Sequence, residues 1–271
     1  MLESLSSSTV DVIGVGSPLV DLILHVDDKF LAKHVGGAKG GMELVDAEHI
    51  HAIVAARGKM PERSPGGSAA NITVGCANLG VPSAFIGSCG ADEFGQYYVR
   101  ALGEHRCEGR LVEHAELPTG LVLALVTPDG ERTMRTCLGA AAALDPAHLT
   151  PETFRGARVV MVEGYSLYNH ALIRAVISAA KAAGCAVALD LAAHEVVRAN
   201  RGILEELMPH VDLLFANQDE ALAWNEAGHE AALADFAAVA PVAVVKLGKD
   251  GALIAHAGVH HHVPTTPVTP V

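Results

Sequence analysis

Residues Ser64–Gly80 read SPGGSAANITVGCANLG, and this stretch decides how the rest of the chain is interpreted. A proline and two adjacent glycines precede a run of small and apolar residues with helical spacing. Ala69, Ile72, Cys76 and Leu79 recur at intervals of three and four residues, which predicts one face of a helix. Gly80, followed by Pro82, is a stop signal for that helix.

The start of this helix carries more glycine than a turn requires. Two glycines allow the backbone to approach a ligand closely and leave N–H groups free to point at it. Asn71 in the first turn would add an amide that both donates and accepts hydrogen bonds. The stretch therefore fits a site for a small polyhydroxylated molecule, and a flexible loop before an ordinary amphipathic helix is the alternative.

Length, composition and charge limit the functions that are open to the chain. It has 271 residues, of which 50% are hydrophobic and 4% aromatic, and a formal net charge of −12. This length fits one large domain, and the negative charge disfavours nucleic acid and anionic membranes as partners. The first ten residues do not resemble a signal peptide, and no stretch is long enough to span a membrane. The five cysteines lack paired spacing, so we expect reduced thiols and a cytoplasmic protein.

Strands and helices alternate along the chain. Four apolar runs that start at residues 159, 186, 212 and 242 predict buried strands of a parallel sheet, with helices between them. Residues 121–127 and 131–137, joined by Pro128-Asp129-Gly130, predict a hairpin in a small antiparallel sheet. Strands are also predicted at 11–16 and 84–87, and helices at 46–57 and 93–102. The fold class is therefore α/β, with a small β-sheet built from insertions.

The common nucleotide-binding and catalytic motifs are not found. Gly14–Leu19 begins like a dinucleotide fingerprint, but Leu19 stands where the third glycine belongs, which disfavours a Rossmann-type oxidoreductase. The sequence contains no P-loop, nucleophile elbow or zinc helix. His256 and His260–His262 alternate with apolar residues in a way that favours a solvent-facing strand over a metal site.

What remains is a set of polar residues directly after buried strands, where open α/β sheets bind their ligands. Each of them taken alone is more often a helix cap than a ligand, but several at one sheet edge indicate a site. These residues are Asp21, Glu163, Asp190, Asn217 and Glu220.

Four motifs in the right order make the chain resemble the PfkB, or ribokinase-like, carbohydrate kinases. Gly66-Gly67 with Asn71 is similar to the family's substrate motif, and residues 87–95 resemble its G-x-x-G-x-D-x-x-G segment. Asn217–Glu220 is similar to its N-x-x-E motif, and residues 245–251 to its nucleotide-side loop. Residues 14–21 and 39–42 look most like adenosine kinases, although Ser17 stands where many of these have asparagine.

The resemblance implies ATP-dependent phosphorylation of a hydroxymethyl group on a sugar or nucleoside. The implied fold is a single ribokinase-like domain over residues 1–271, with a central, mostly parallel sheet between helices. Its small antiparallel lid would take strands from about 17–45 and 108–138. The lid would exclude water, and Arg132 and Arg135 on it would either neutralise phosphate charge or face solvent.

The resemblance also implies a role for each site residue. Ser17, Asp21, Gly66, Gly67 and Asn71 would bind the acceptor, with Glu163 as a second carboxylate. Asn217, Lys246, Gly248 and Gly251 would bind the nucleotide. Glu220 would hold Mg²⁺ through water, and a monovalent cation is a further expected cofactor.

One family motif is missing from the sequence. The G-A-G-D motif, with its general base and anion hole, would be expected after residues 264–271. The catalytic residues are therefore expected beyond Val271 and none within the sequence, so we expect a truncated and inactive kinase.

Several alternatives stay open at this point. A noncatalytic sugar- or nucleoside-binding protein is the alternative to a kinase. Within the kinase interpretation, ribose, fructose and 2-keto-3-deoxygluconate compete with adenosine-like nucleosides as the substrate. Both a monomer and a homodimer are compatible with the resemblance.

Overall fold

The computed structural model describes residues 10–266. The strands are β1 (Val12–Val15), β2 (Leu19–His25), β3 (Met42–Leu44), β4 (Glu62–Gly66), β5 (Ser83–Gly90), β6 (Cys107–His114), β7 (Gly120–Val126), β8 (Arg132–Cys137), β9 (Val159–Glu163), β10 (Ala186–Asp190), β11 (Leu213–Asn217), β12 (Val242–Lys246), β13 (Ala252–His256) and β14 (Val259–Val263). The α-helices are α1 (Asp28–His34), α2 (Ala47–Arg57), α3 (Ser68–Asn78), α4 (Glu93–Glu104), α5 (His170–Ala182), α6 (His194–Ala199), α7 (Arg201–Leu207), α8 (Gln218–Trp224) and α9 (His229–Ala237).

Two expectations from the sequence fall on the ends of the chain. Residues 1–9, which were not expected to form a signal peptide, lie outside the described residues. Val271, beyond which the catalytic residues are expected, also lies outside them, together with residues 267–270. The expected position of the catalytic residues therefore stays a prediction from the sequence.

The described residues form two compact units. Among the described residues, the first contains residues 10–15, the short stretch Val81–Ser83, and residues 145–266. The second contains Gly16–Gly80 and Ala84–Leu144. The single domain expected from the resemblance stays a prediction, and each unit is described by itself.

The first unit contains seven strands of a mostly parallel sheet. Their order is β14-β13-β12-β11-β10-β9-β1. Five of these strands run parallel, namely β1, β9, β10, β11 and β12. β13 and β14 continue the sheet in antiparallel pairing. Helices connect the successive parallel strands from β9 to β12, as strand–helix alternation predicts. The α/β fold class is therefore confirmed.

Burial differs between the strands of this sheet. In β9 and β10 every residue after the first is buried, as predicted for strands that are covered on both faces. In β11 and β12, by contrast, buried residues alternate with half-buried or exposed ones. Their apolar runs predicted full burial, which is wrong for these two strands. All residues of β14 are exposed, including His260–His262, as the alternating pattern predicted.

The second unit contains a five-stranded sheet of order β3-β8-β7-β2-β4. The predicted hairpin of β7 and β8 is present, and β2 and β4 form a second antiparallel pair. The pairs β2–β7 and β3–β8 are parallel. Two details of the expected strand ranges need correction. β4 belongs to this sheet although it lies outside both ranges. β6 lies within the second range but pairs beside β5, to which α4 connects it.

Helix α3 buries Ala69 from the predicted face, but not Ile72 or Leu79. Its buried residues are Ala69, Ala70, Thr73 and Ala77, whereas Leu79 is 86% exposed and Ile72 37% exposed. The alanines pack into the core of the unit with the buried side chains of β2 and β7. Small side chains allow close approach of the helix, and Thr73 satisfies its hydroxyl by donating to the Ala69 carbonyl at 2.6 Å. Contact with the sheet therefore favoured small residues over large apolar ones.

Two predictions about helix ends are confirmed. Asp46 caps α2 by accepting from the His49 N–H at 2.7 Å, and Gly80 adopts φ = 86° just after α3. All five cysteines, which lie within the described residues, are free thiols. In the part of the chain that the structure describes, no helix is long and apolar enough to cross a membrane.

Candidate functional site

The paired glycines lie against two residues that precede them in the chain. In the register of β2 and β4, Leu19 pairs with Gly66 and Asp21 with Ser64. A Cβ on Gly66 would lie 2.6 Å from Oδ1 of Asp21. Gly67 has φ = 97°, and a Cβ there would collide with the carbonyl oxygen of Ser17. Position 67 therefore requires glycine, and a side chain at position 66 would displace the Asp21 carboxylate.

A cavity of about 230 Å³ lies between β4, α3 and α4. Its lining includes Gly66, Asn71 and Tyr98, and the hydroxyl of Tyr98 donates to the Gly66 carbonyl at 2.6 Å. Asp21 does not line this cavity. Gly66 thus contacts Asp21 and also lines the cavity that Asn71 borders. The structure places Asp21 against Gly66 and Ser17 against Gly67.

The two arginines of β8 lie on opposite faces of the small sheet. Pairing through β7 places Arg132 on the same face as Asp21, and Arg135 on the face that packs into the core. Burial raises the pKa of the Asp21 carboxyl, and the charge of Arg132 partly offsets this shift. Arg132 is exposed and therefore available to a ligand.

Arg135 is unavailable for the suggested phosphate role. It is fully buried, and its guanidinium donates to the carbonyls of Met134 at 2.8 Å and Gly36 at 2.6 Å. Glu43 lies 3.5 Å from it. Period-two alternation explains the difference, since residues 132 and 135 must face opposite sides of a strand.

Four of the sequence-predicted residues share one edge of the sheet in the first unit. Glu163, Asp190, Asn217 and Lys246 are the last residues of β9, β10, β11 and β12. Glu163 pairs with Asp190, and Asn217 pairs with Lys246. The parallel sheet therefore brings polar groups from four separate parts of the chain to its carboxyl edge. Glu163 is buried, with 1% of its surface exposed.

Asn217 and Glu220 hold each other through a capping box at the start of α8. The Asn217 backbone and side-chain N–H groups donate to the two Glu220 carboxylate oxygens at 2.7 and 2.6 Å. Glu220 N donates back to the Asn217 side-chain oxygen at 2.9 Å. Burial raises the pKa of Glu220, and of the nearby charges Asp190 raises it further whereas Lys246 lowers it. Asn217 is therefore the cap that the sequence allowed. Glu220 is a buried carboxylate that Asn217 holds in place and whose pKa is raised.

Lys246 reaches back across the sheet edge to Asp190. Its ammonium donates to Oδ2 of Asp190 at 2.6 Å. Asp190 was recognised in the sequence only as a polar residue after a strand and was given no role. Asp190 and Lys246 come together because β10 and β12 both lie beside β11 in the sheet, and the sequence does not show this strand order.

The two glycines of the nucleotide-side loop have structural reasons to be glycine. Gly248 has φ = 58° and Gly251 φ = 90° in the turn between β12 and β13. A Cβ on Gly251 would collide with the carbonyl of Val263, whereas one on Gly248 would meet no described atom within 4 Å. Gly251 is thus required by packing, and Gly248 by its backbone conformation alone.

The G-x-x-G-x-D-x-x-G segment joins two elements of the second unit. Asp92 caps α4 through Gly95 N at 2.8 Å and accepts from the backbone N–H and hydroxyl of Thr119 at 2.8 and 2.6 Å. Burial alone would raise the pKa of Asp92, but these hydrogen bonds lower it. This motif therefore fixes the start of β7 onto α4.

Metal binding is limited by the ligands that are present. Within residues 10–266, no cluster of three or more His, Cys, Asp or Glu side chains is arranged to hold a metal ion. Mg²⁺ commonly keeps several waters and uses one or two carboxylates. The buried Glu220 carboxylate, with its raised pKa, fits such a water-mediated role because a nearby cation would stabilise its charged form.

Comparison with known proteins gives a consistent result. The model of the pfkB family carbohydrate kinases matches residues 35–271. The adenosine kinase of Schizophyllum commune is 29% identical over 239 residues, which is 83% of this chain and 67% of that protein. The match to adenosine kinase 2 of Arabidopsis thaliana covers 65% of that protein, so the chain spans about two thirds of the length of these curated relatives.

Solved structures agree in fold. A probable sugar kinase from Rhizobium etli CFN 42 superposes with a TM-score of 0.85 at 30% identity, covering 96% of this chain and 80% of that one. The adenosine kinase from Sinorhizobium meliloti superposes with a TM-score of 0.84 at 30% identity, covering 97% and 82%.

Proposed function

The chain belongs to the pfkB family of carbohydrate kinases, and from that premise we propose that it carries the substrate and nucleotide sites of an adenosine kinase-like enzyme. The proposed reaction is ATP-dependent phosphorylation of a hydroxymethyl group on a sugar or nucleoside. The observation that carries the proposal is the carboxyl edge of the first unit's sheet, where four successive parallel strands end in polar residues beside Glu220. Such an edge is where open α/β sheets bind ligands.

The acceptor site is proposed in the second unit. Asp21 would accept hydrogen bonds from sugar hydroxyls, and its contact with Gly66 keeps the carboxylate beside the backbone of the paired glycines. Ser17, Gly67 and Asn71 would complete this site, and Arg132 would face the same side of the sheet as Asp21. The role of Glu163, which belongs to the first unit, as a second carboxylate for sugar hydroxyls stays a prediction from the resemblance.

The nucleotide site is proposed at the strand edge of the first unit. Lys246 supplies a cation for phosphate, and Gly248 and Gly251 shape the loop that follows it. Glu220, held by Asn217, would bind the water shell of Mg²⁺. Bound Mg²⁺ supplies charge neutralisation on the phosphates, and the residues here supply its orientation. A monovalent cation, a cytoplasmic location and a monomeric or homodimeric state remain predictions from the sequence.

The proposed reaction also needs a general base, which the family resemblance places in a Gly-Ala-Gly-Asp motif. No Gly-Ala-Gly-Asp occurs up to Val271, the last residue of the sequence. Because a general base contributes about 10²–10⁴ in rate, we expect residues 1–271 alone to bind both substrates with little turnover. Turnover at ordinary kinase rates by this chain would contradict that expectation and the placement of the catalytic residues beyond Val271, and it would leave the binding roles in place.

A free-sugar kinase is the second candidate. The similarity to the Rhizobium etli sugar kinase equals the similarity to the Sinorhizobium meliloti adenosine kinase, at 30% identity each. Titration of the chain with adenosine, ribose, fructose and 2-keto-3-deoxygluconate separates the two candidates. Acceptor and nucleotide binding without turnover, even in a longer protein that contains Gly-Ala-Gly-Asp, would favour a noncatalytic binding protein.

The test of the acceptor site uses Asp21→Ala. Calorimetric titration should show acceptor binding reduced at least about 100-fold, because the charged acceptor of the hydroxyl hydrogen bonds is gone, with ATP affinity unchanged. Asp11→Ala, a partly exposed carboxylate of the first unit, is the control and should change neither affinity. Unchanged acceptor affinity in Asp21→Ala would refute the assignment of the site.

A further inference from the structure

The ion pair between Asp190 and Lys246 crosses the end of a strand that lies between them. Asp190 ends β10 and Lys246 ends β12, with β11 in the middle. Neighbouring strands are about 4.8 Å apart, so the two strand ends are roughly 10 Å apart and only a long side chain joins them. The lysine therefore lies over the end of β11, where Asn217 and Glu220 stand. The effect of both charges on Glu220 agrees with this position.

The turn after β10 fixes the Asp190 carboxylate. Its Oδ1 accepts from Ala192 N at 3.1 Å, and Ala192 has φ = 68°, a left-handed conformation that is unfavourable for alanine. Gly164 packs so closely that a Cβ would lie 2.6 Å from the Leu191 carbonyl carbon and oxygen. Leu191 N donates to the Phe215 carbonyl at 3.0 Å. Strained backbone that is held by its surroundings in this way is common at functional sites.

The two partners of the pair differ in exposure. The Asp190 side chain is 12% exposed, whereas that of Lys246 is 47% exposed. An ammonium has three donors, and among residues 10–266 Asp190 is the one hydrogen-bond partner that the structure gives it. Asp190 is thus the buried anchor, and Lys246 presents its remaining donors at the sheet edge.

We propose that Asp190 is a positioning residue, which holds the Lys246 ammonium over the end of β11 so that it binds the terminal phosphates of the nucleotide. This inference rests on the proposed function, since it names the group that makes Lys246 effective there. A flexible lysine would lose side-chain entropy on binding phosphate, whereas one already held by Asp190 loses less.

Whether Asp190→Asn weakens or strengthens ATP binding shows whether Asp190 positions Lys246 or only balances its charge. Asp190→Asn removes a negative charge beside the proposed phosphate site, so charge alone predicts tighter ATP binding. Positioning predicts the opposite, which is ATP binding weakened about tenfold because the ammonium is no longer held in place. Asp190→Glu, which keeps the charge, should recover part of the loss.

The experiment measures dissociation constants of ATP and AMP by calorimetry on the full 271-residue chain with Mg²⁺ present. Lys246→Met should weaken ATP at least as much as Asp190→Asn, and the double variant no more than Lys246→Met alone, because the aspartate acts through the lysine. AMP affinity should change less than about twofold, since AMP lacks the terminal phosphates. A general loss of structure would weaken both nucleotides alike.

A second Lys–Asp pair in the same unit provides the control. Lys181 donates to Asp212 at 2.8 and 3.0 Å, and Asp212 directly precedes β11, at the other end of that strand. Lys181→Met should leave both nucleotide affinities unchanged.

The outcomes distinguish the inference from the function on which it rests. The positioning role alone is overturned if the wild-type chain binds ATP and the Asp190→Asn variant binds it equally well or more tightly. Wild-type chain that binds neither ATP nor AMP overturns the proposed nucleotide site, and the positioning role fails with it. If Asp190→Asn does not fold, as judged by circular dichroism, the comparison of ATP with AMP in Asp190→Glu and Lys246→Met decides.

Discussion

The strand edge of the first unit and the paired-glycine site of the second unit are built in different ways. At the strand edge, polar side chains hold each other through hydrogen bonds and an ion pair, as Asn217 holds Glu220 and Asp190 holds Lys246. At the glycine site, backbone atoms touch side-chain and carbonyl atoms so closely that a methyl group would not fit. The strand edge should therefore be sensitive to changes in charge, and the glycine site to changes in volume.

The most severe test of this difference is Gly67→Ala. Its new methyl group would collide with the Ser17 carbonyl, and φ = 97° is strained for alanine. We expect the free energy of unfolding to fall by roughly 2–4 kcal/mol, because overpacking and backbone strain add. Acceptor binding should be lost even where the variant stays folded. Chemical denaturation and calorimetric titration measure the two effects.

Helix α3 supplies a matched control for that variant. Gly75 lies inside the helix, and a Cβ there would meet no described atom within 4 Å. Gly75→Ala should stabilise the protein by roughly 0.5–1 kcal/mol, because alanine is the better helix former. A Gly67→Ala variant that is as stable as wild type would show that Ser17 and Gly67 do not lie as closely as the structure has them.

The strand edge could be predicted from the sequence better than the glycine site. The Asn217–Glu220 motif predicts a cap because its partners are three residues apart, and the strand ends follow from apolar runs with polar residues after them. The paired glycines predicted close approach of the backbone, but not that Ser17 and Asp21 are the groups approached. That contact depends on the pairing of β2 with β4, whose register the sequence does not show.

The errors have the same origin. The face of α3 was partly misjudged because tertiary contact with the sheet favoured Ala70, Thr73 and Ala77 over Ile72. The importance of Asp190 was missed because its partner is 56 residues away and across another strand. Local patterns therefore predicted the elements and their ends, and the contacts between elements had to come from the structure.

The pH dependence of acceptor binding tests the charge on Asp21. Burial raises the pKa of this carboxyl and Arg132 partly offsets the shift, so acceptor affinity should fall as pH drops through a pKa above the ordinary value. Arg132→Gln removes the offset, and the fall should then begin at higher pH. Calorimetric titrations across a pH series measure this. Arg100→Gln, which changes an exposed arginine of α4, is the control and should leave the profile unchanged.

This loss of binding should occur without loss of stability from the same group. A carboxyl whose pKa is raised in the folded state binds its proton more tightly there than in the unfolded chain, so protonating Asp21 favours the folded state. Binding that is lost only together with unfolding would assign the pH effect to other groups. If Arg132→Gln does not shift the pH dependence of acceptor binding, Arg132 does not influence the acceptor site.

The smallest expected effect is that of Glu220→Gln at the strand edge. The amide keeps the shape of the carboxylate and avoids its buried charge, but it loses one of the two hydrogen bonds from Asn217, so stability should change by no more than about 1 kcal/mol. The increase in ATP affinity that Mg²⁺ produces should be lost, because an amide oxygen is a much weaker partner for hydrated Mg²⁺.

Calorimetry of ATP binding with and without Mg²⁺ measures this increase in affinity. Asp219→Asn, which changes an exposed carboxylate of the same helix, is the control. A Glu220→Gln variant that keeps the full effect of Mg²⁺ would move the metal site to another residue and leave the capping box as the sole role of Glu220.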